Sequence, residues 1–264
     1  DIEIRARYIV NATGPWINGI LRQIGPFKRG GHFQFAKAVN FIIPRRLSNF
    51  AFALRDQHPS VDDYSKSNRF FFFVPWREAT MIGTWYFAHD RTANEITLTE
   101  NEFSKCTQQI NHLLPDAKIT EDEISFVHKG LVPTEPYDKY SKLNLKNHLT
   151  LIDHDLNGGP RGVISILGVK YTTARNVAKL ITARIQRKFG HPIEQNQDDR
   201  MLVGNSMISD LDSFLQSKIN NNPYGLKETT VRHLALNFGN DYSKIENLID
   251  SDRNLSRCVP GSNE

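Results

Sequence analysis

The chain has 264 residues, 39% of them hydrophobic and 23% charged, with sixteen Phe, which is apolar material for more than one folded core and excludes disorder of the whole. The formal net charge is +4, but Lys and Arg are interspersed with Asp and Glu, so nucleic acid is not an expected partner, while anionic small molecules or lipid headgroups are compatible. Cys106 and Cys258 have no metal-ligand spacing, no apolar run reaches the roughly 18 residues of a membrane span, and the charged start Asp1 to Arg7 is unlike a signal peptide; a reducing, cytoplasmic setting without structural zinc is expected.

Ile2, Ile4 and Ala6 alternate with Glu3, Arg5 and Arg7, which predicts a strand over Ile4 to Val10. Asn11-Ala12-Thr13-Gly14-Pro15-Trp16 breaks it and opens a short helix through Ile17, Ile20 and Leu21, with Pro15 suited to the first turn. β-rich runs follow at Val39 to Ile43, Ala51 to Leu54, Arg69 to Pro75 and Thr80 to Tyr86, separated by turn-forming clusters, and an antiparallel sheet is the natural reading. Phe70-Phe71-Phe72-Phe73-Val74 is its most hydrophobic stretch and is expected to be a buried central strand. Thr99 with Glu102 has capping-box spacing at the head of a helix ending at Pro115. Strands are expected at Ile124 to His128, Leu149 to Asp153 and Val163 to Leu167. The last runs into Gly168-Val169-Lys170-Tyr171-Thr172-Thr173 and a long amphipathic helix through Val177, Ile181, Ile185 and Phe189, closed by Gly190. Residues 191–206 are polar and turn-rich, and three helical segments then follow at Ser209 to Ile219, Leu226 to Phe238 and Ser243 to Asp250. A strand pattern with nothing before it, and the turn signal Val259-Pro260-Gly261-Ser262 at the other end, suggest that both ends are cut.

The chemistry begins with the two strand, glycine turn, helix units. Such a turn aims backbone N–H groups and a partial positive charge outward, which suits an anion or an electron-rich ring. Neither has GxGxxG spacing. Lys170 adds a full charge to the second turn. His32, His128, His148 and His154 lie in or beside predicted strands and are the candidates for a general base. Strand alternation puts Asp153 and Asp155 on one face and His154 on the other, so that cluster is not read as a metal site. There is no GxSxG, P-loop, HExxH or kinase signature.

Three segments together are similar to the FAD-dependent glycerol-3-phosphate dehydrogenases of the D-amino-acid-oxidase superfamily: Tyr8 to Trp16, Phe72 to Trp76 with Met81 to Thr84, and Leu167 to Arg175. The tail around Asn237 to Asn240 resembles the family's helical C-terminal domain. The resemblance implies an α+β chain: residues 1–31 as a remnant of a Rossmann-like FAD-binding domain, 32–160 as an antiparallel-sheet substrate domain, 161–192 as the returning strand and helix of the FAD domain, and 193–264 as a truncated helical domain. It implies oxidation of a C2 hydroxyl by hydride transfer to FAD. Thr13, Gly14, Pro15, Trp16, Gly168, Val169, Lys170 and Thr172 would lie at the cofactor, and Lys170, Lys37 and Asn40 at the reaction. His128, Lys129, Val132 and Asn147 would lie on the substrate side.

Departures accompany the match. Gly130-Leu131-Val132-Pro133 carries valine where the family has an arginine for the substrate phosphate; the second arginine position aligns with Asn147, an aspartate with Tyr86, and a histidine with Asn40. Two lost arginines would weaken a phosphate substrate by orders of magnitude, at roughly 1.5–3 kcal/mol per charged hydrogen bond. A polyol phosphate and a less anionic hydroxy or amino compound both stay open as substrates, as does a non-catalytic binding module. A quinone or another carrier is the implied electron acceptor, with peripheral membrane contact. The family's N-terminal GxGxxG segment has no counterpart here, so the chain alone is expected to bind flavin weakly and to be inactive.

Overall fold

The described residues form eight strands and six α-helices in the order β1 (Ile9–Asn11), α1 (Ile17–Ile24), β2 (Gln34–Ile43), β3 (Phe52–Arg55), β4 (Phe70–Trp76), β5 (Ala79–His89), α2 (Glu100–Leu113), β6 (Phe126–Thr134), β7 (Thr150–Asp153), β8 (Val163–Leu167), α3 (Ala174–Lys188), α4 (Leu211–Asn220), α5 (Glu228–Phe238) and α6 (Tyr242–Ser251). The structure, a computed structural model, describes residues 3–25, 32–56, 69–137, 143–168, 170–190, 208–257 and 259. Two compact units divide the chain, Asp1–His191 and Pro192–Glu264.

The first unit holds two sheets. A five-stranded antiparallel sheet has the order β3-β4-β5-β2-β6, and a three-stranded sheet the order β1-β8-β7, with β1 parallel and β7 antiparallel to β8. α2 covers one face of the larger sheet. Its start is fixed as the sequence implies, Thr99 and Glu102 exchanging side-chain and backbone hydrogen bonds, and Pro115 ends it. Val39, Phe41, Ile43, Phe71, Phe73, Ile82 and Trp85 from the sheet pack with Cys106 and Ile110 from α2. A second core joins Ile17 and Leu21 of α1 to Phe33, Phe35 and Leu167, which ties the two sheets together. In the second unit Leu215, Val231, Ala235 and Tyr242 form a small core of their own among α4, α5 and α6.

Three expectations change. Phe71 and Phe73 are fully buried, but Phe70 and Phe72 are 52% and 55% exposed, so the phenylalanine run is a half-buried strand rather than one covered on both sides. Among the described residues α2 packs on the face that carries Phe71 and Phe73, and period-two geometry turns Phe70 and Phe72 to the other face. The first strand is Ile9–Asn11, not Ile4 to Val10, because its partner ladder starts only where Gly162 accepts from Ile9 N (2.7 Å). Strand β6 runs on through Lys129 to Thr134, bringing the Gly130 to Pro133 segment into the sheet. The helix expected near Ser209 to Ile219 and its two successors all appear within two residues of their predicted limits, α4 and α5 each beginning two residues later.

Candidate functional site

The parallel register of β1 with β8 pairs Ile9 with Val163, Val10 with Ile164 and Asn11 with Ser165. Both strands therefore end on the same side of the sheet, and each passes into a turn and then a helix. Ligands of open α/β sheets bind outside the carboxyl ends of parallel strands, where such turns aim their N–H groups. Gly14 has φ +56°, a left-handed conformation that a side chain would strain. Buried Asn11 holds that turn: its Oδ1 accepts from Thr13 Oγ1 (2.7 Å), and its Nδ2 donates to Ile17 O (3.4 Å). In the second turn Gly168, Lys170 and Thr172 are exposed, and Lys170 O accepts from Thr173 Oγ1 (2.9 Å). A pocket of about 380 Å³ lies beside these turns, lined by Val10, Ala12, Ile166, Gly168, Lys170 and Val177 among others. Its wall is mostly aliphatic with backbone donors and one ammonium at the rim, a donor set that fits a flat, electron-rich ring with anionic substituents.

The expected cofactor residues divide. Gly168 and Lys170 line this pocket, whereas Pro15 and Trp16 line a separate cavity of about 1080 Å³ with Arg22, His32, His89 and Asn94. Trp16 Nε1 donates to Asn94 Oδ1 (2.7 Å) there. Val169 lies outside the described residues.

A second candidate surface is the face of the five-stranded sheet turned away from α2. Asn40, His128 and Val132 lie on it, as does Tyr86, because their neighbours Val39, Phe41 and Val127 face the helical core. Cross-strand register sets Asn40 opposite His128, Ala38 opposite Tyr86 and Gly130, and Ala36 opposite Val132. Asn40 Oδ1 accepts from Thr84 Oγ1 (2.7 Å). It also sits where a Cβ on Gly83 would be, so only glycine leaves room for it. The Arg69 guanidinium lies 5.2 Å from the Tyr86 ring centroid and 4.5 Å from that of Phe71.

Lys37 and Asn40 were expected in one cavity, and the structure separates them. Three residues apart on a strand they must face opposite ways, and Lys37 turns to α2, buried, with Nζ donating to Glu102 Oε1 (2.7 Å), Oε2 (2.8 Å) and Thr97 O (3.0 Å). Its ammonium is engaged in an internal ion pair rather than presented to a ligand. Lys129 likewise projects from the reverse side of β6 to His128, and Asn147 lies exposed in the loop before β7. Glu102 was legible only as a helix cap; its second role as the partner of Lys37 carries no local signal.

Of the other histidines, His32 and His148 are exposed and His154 is fully buried, its Nε2 2.8 Å from Ser165 Oγ. Burial pushes the His154 imidazole below its ordinary value against the pull of Asp153. Burial also opposes ionisation of Asp153, but hydrogen bonds and charge from Lys188 (2.6 Å) and Arg184 (3.2 Å) outweigh it and hold the carboxyl below the ordinary range. Among the described residues no group of three or more His, Cys, Asp or Glu is placed to hold a metal ion, and no helix is long and apolar enough to cross a membrane.

Comparison with known proteins gives the family context of these two surfaces. The profile of the FAD dependent oxidoreductase family (DAO) matches residues 1–184. The aerobic glycerol-3-phosphate dehydrogenase of Bacillus subtilis is 23% identical over 272 residues, covering 98% of this chain and 46% of the relative. The mitochondrial glycerol-3-phosphate dehydrogenase of Homo sapiens is 24% identical over 260 residues, covering 94% of this chain and 32% of the relative. Thus the chain spans about half the length of the bacterial relative, and less of the human one. A solved structure of the glycerol-3-phosphate dehydrogenase from Bacillus halodurans complexed with FAD shares the fold, with a TM-score of 0.75 at 21% identity, covering 95% of this chain and 47% of that one.

Proposed function

The chain belongs to the FAD dependent oxidoreductase family, and from that premise we propose that it forms the flavin-ring side and the substrate side of a dehydrogenase that oxidises the C2 hydroxyl of a glycerol 3-phosphate-like polyol. One observation carries the reading: the β1–β8 register brings two strand, glycine turn, helix units side by side at one end of a sheet, beside an aliphatic pocket. FAD, when bound, would supply the hydride acceptor. Gly14, Gly168, Lys170 and Thr172 would hold its ring side, with Val10 and Ile166 against the apolar part, and the Lys170 ammonium favours negative charge at that end. On the sheet's open face the Asn40 amide is held by Thr84, so its NH2 group is directed to donate to a substrate oxygen, while the face keeps the reacting group oriented.

A second reading has an observation in its favour. Val132 lies on that open face and cannot pair with a phosphate, which favours a hydroxy or amino compound with less negative charge. A quinone or another carrier would then take the electrons, with the protein at a membrane surface.

Anaerobic addition of substrates to the full-length, flavin-loaded protein tests both. Bleaching by glycerol 3-phosphate supports the first reading, and bleaching by an uncharged polyol, hydroxy acid or amino acid alone supports the second. A flavin left fully oxidised by every compound of these classes overturns the dehydrogenase assignment.

A further inference from the structure

Removing a hydride from a carbinol carbon requires that the hydroxyl proton go somewhere, and a base within hydrogen-bond reach is the ordinary solution. We propose that His128 is that base, an inference that rests on the dehydrogenase reading above. Asn40 cannot serve, because an amide nitrogen is not basic at neutral pH and its Oδ1 already accepts from Thr84 Oγ1. Directly across the strand pair, on the same face, stands His128. Cβ atoms of residues so paired lie about 4.5–5.5 Å apart, so one substrate hydroxyl can meet the Asn40 amide and the His128 ring together.

The other charged and titratable side chains of the neighbouring strands are poorly suited. Tyr86 on β5 and Arg55 on β3 share the open face, but a phenol O–H and a guanidinium are hydrogen-bond donors with no basic lone pair to offer a hydroxyl proton. Lys37 and Lys129 face the other way, and Lys37 is held by Glu102. The imidazole of His128 alone among these carries a ring nitrogen lone pair suited to accept a proton from a hydroxyl. His128 is exposed, its ring makes no hydrogen bond among the described residues, and it stands on β6, an edge strand of the sheet, where a substrate can approach the ring from the side.

The step balances as follows. The O–H bond breaks toward His128, which becomes imidazolium, and that electron pair forms the C=O bond. The C–H hydrogen would depart with its electron pair as hydride, which bound FAD would accept, so that the substrate loses two electrons and two hydrogens, the proton going to His128 and the hydride to the cofactor. Asn40 donates to the oxygen throughout.

The test uses the full-length, FAD-loaded protein with whichever compound bleaches it. In H128Q, flavin reduction at neutral pH should fall by about 10²–10⁴-fold, and added imidazole should restore part of the rate in H128A. Independently of turnover, substrate should protect His128 from diethylpyrocarbonate in the wild-type protein, mapped by mass spectrometry, while exposed His148 is modified as before. An H128Q protein with unchanged rate overturns the assignment, as does modification of His128 unaffected by saturating substrate. If no hydroxy compound bleaches the wild type, the dehydrogenase reading falls and the base assignment with it; if the wild type bleaches and H128Q matches it, only the assignment of His128 falls.

Discussion

Removing Glu102 should cost far more than removing the lysine it holds. Lys37 Nζ has three acceptors, two of them the oxygens of Glu102, and its side chain is only 10% exposed against 18% for Glu102. Glu102→Ala leaves the ammonium in the interior with Thr97 O alone, and also deletes the acceptor that Thr99 N uses at 2.9 Å to start α2. Breaking a buried pair from one side costs about 3–5 kcal/mol, and losing a cap about 1 kcal/mol. Because both side chains retain some exposure, a total near 3 kcal/mol is expected, or roughly 6–12 °C in Tm for a unit of this size. Lys37→Met leaves Glu102 with its cap donors and partial access to water, while the methionine stem keeps contact with Phe87; about 1 kcal/mol is expected. The sign that matters is in the double variant. Adding Lys37→Met to Glu102→Ala removes the stranded charge and should recover stability relative to Glu102→Ala, measured by urea unfolding followed by circular dichroism. A double variant no more stable than Glu102→Ala would refute the claim that an uncompensated ammonium is the main cost.

Gly83→Ala should destabilise by about 1–3 kcal/mol, since its Cβ would overlap Asn40 Oδ1 and lie 3.0 Å from Val39 O. Asn40→Ala in the same protein should relieve part of this, and thermal unfolding of the two variants and their combination reads it directly. Acid stability should decline in two stages near β7. His154 has a lowered folded pKa, so the unfolded chain takes up the proton first, and its contribution is complete above the ordinary value of 6.5 and lost as pH falls below it. Asp153 is also lowered but is a carboxyl, so its contribution is present above the ordinary carboxylate range and lost only as pH falls through its folded value. His154→Gln should flatten the upper stage in a series of urea melts against pH, and Asp153→Asn should lower stability at neutral pH and lose that deficit in acid; identical pH dependence in all three proteins would contradict the packing around this strand.

The periodicity of the chain and its turn residues determined most of the elements. Thr99 with Glu102 marked the helix start, Gly168 to Thr173 the second turn unit, and the alternation in β2 was sufficient to put Lys37 and Asn40 on opposite faces, although resemblance had grouped them. Local sequence could also nominate His128 among four histidines without distinguishing it. Tertiary structure decided the rest. Strand order set His128 across from Asn40, buried His154 against Ser165, and gave Glu102 the ammonium of a residue 65 positions away. It buried Phe71 and Phe73 and turned Phe70 and Phe72 to the other face, and it carried β1 and β8 together although more than 150 residues separate them in sequence. The physical reason is range. Caps, turns and alternation are fixed by interactions within a few residues, whereas a site assembled on adjacent strands depends on which strands pair and in what register, a choice made by the burial of whole faces.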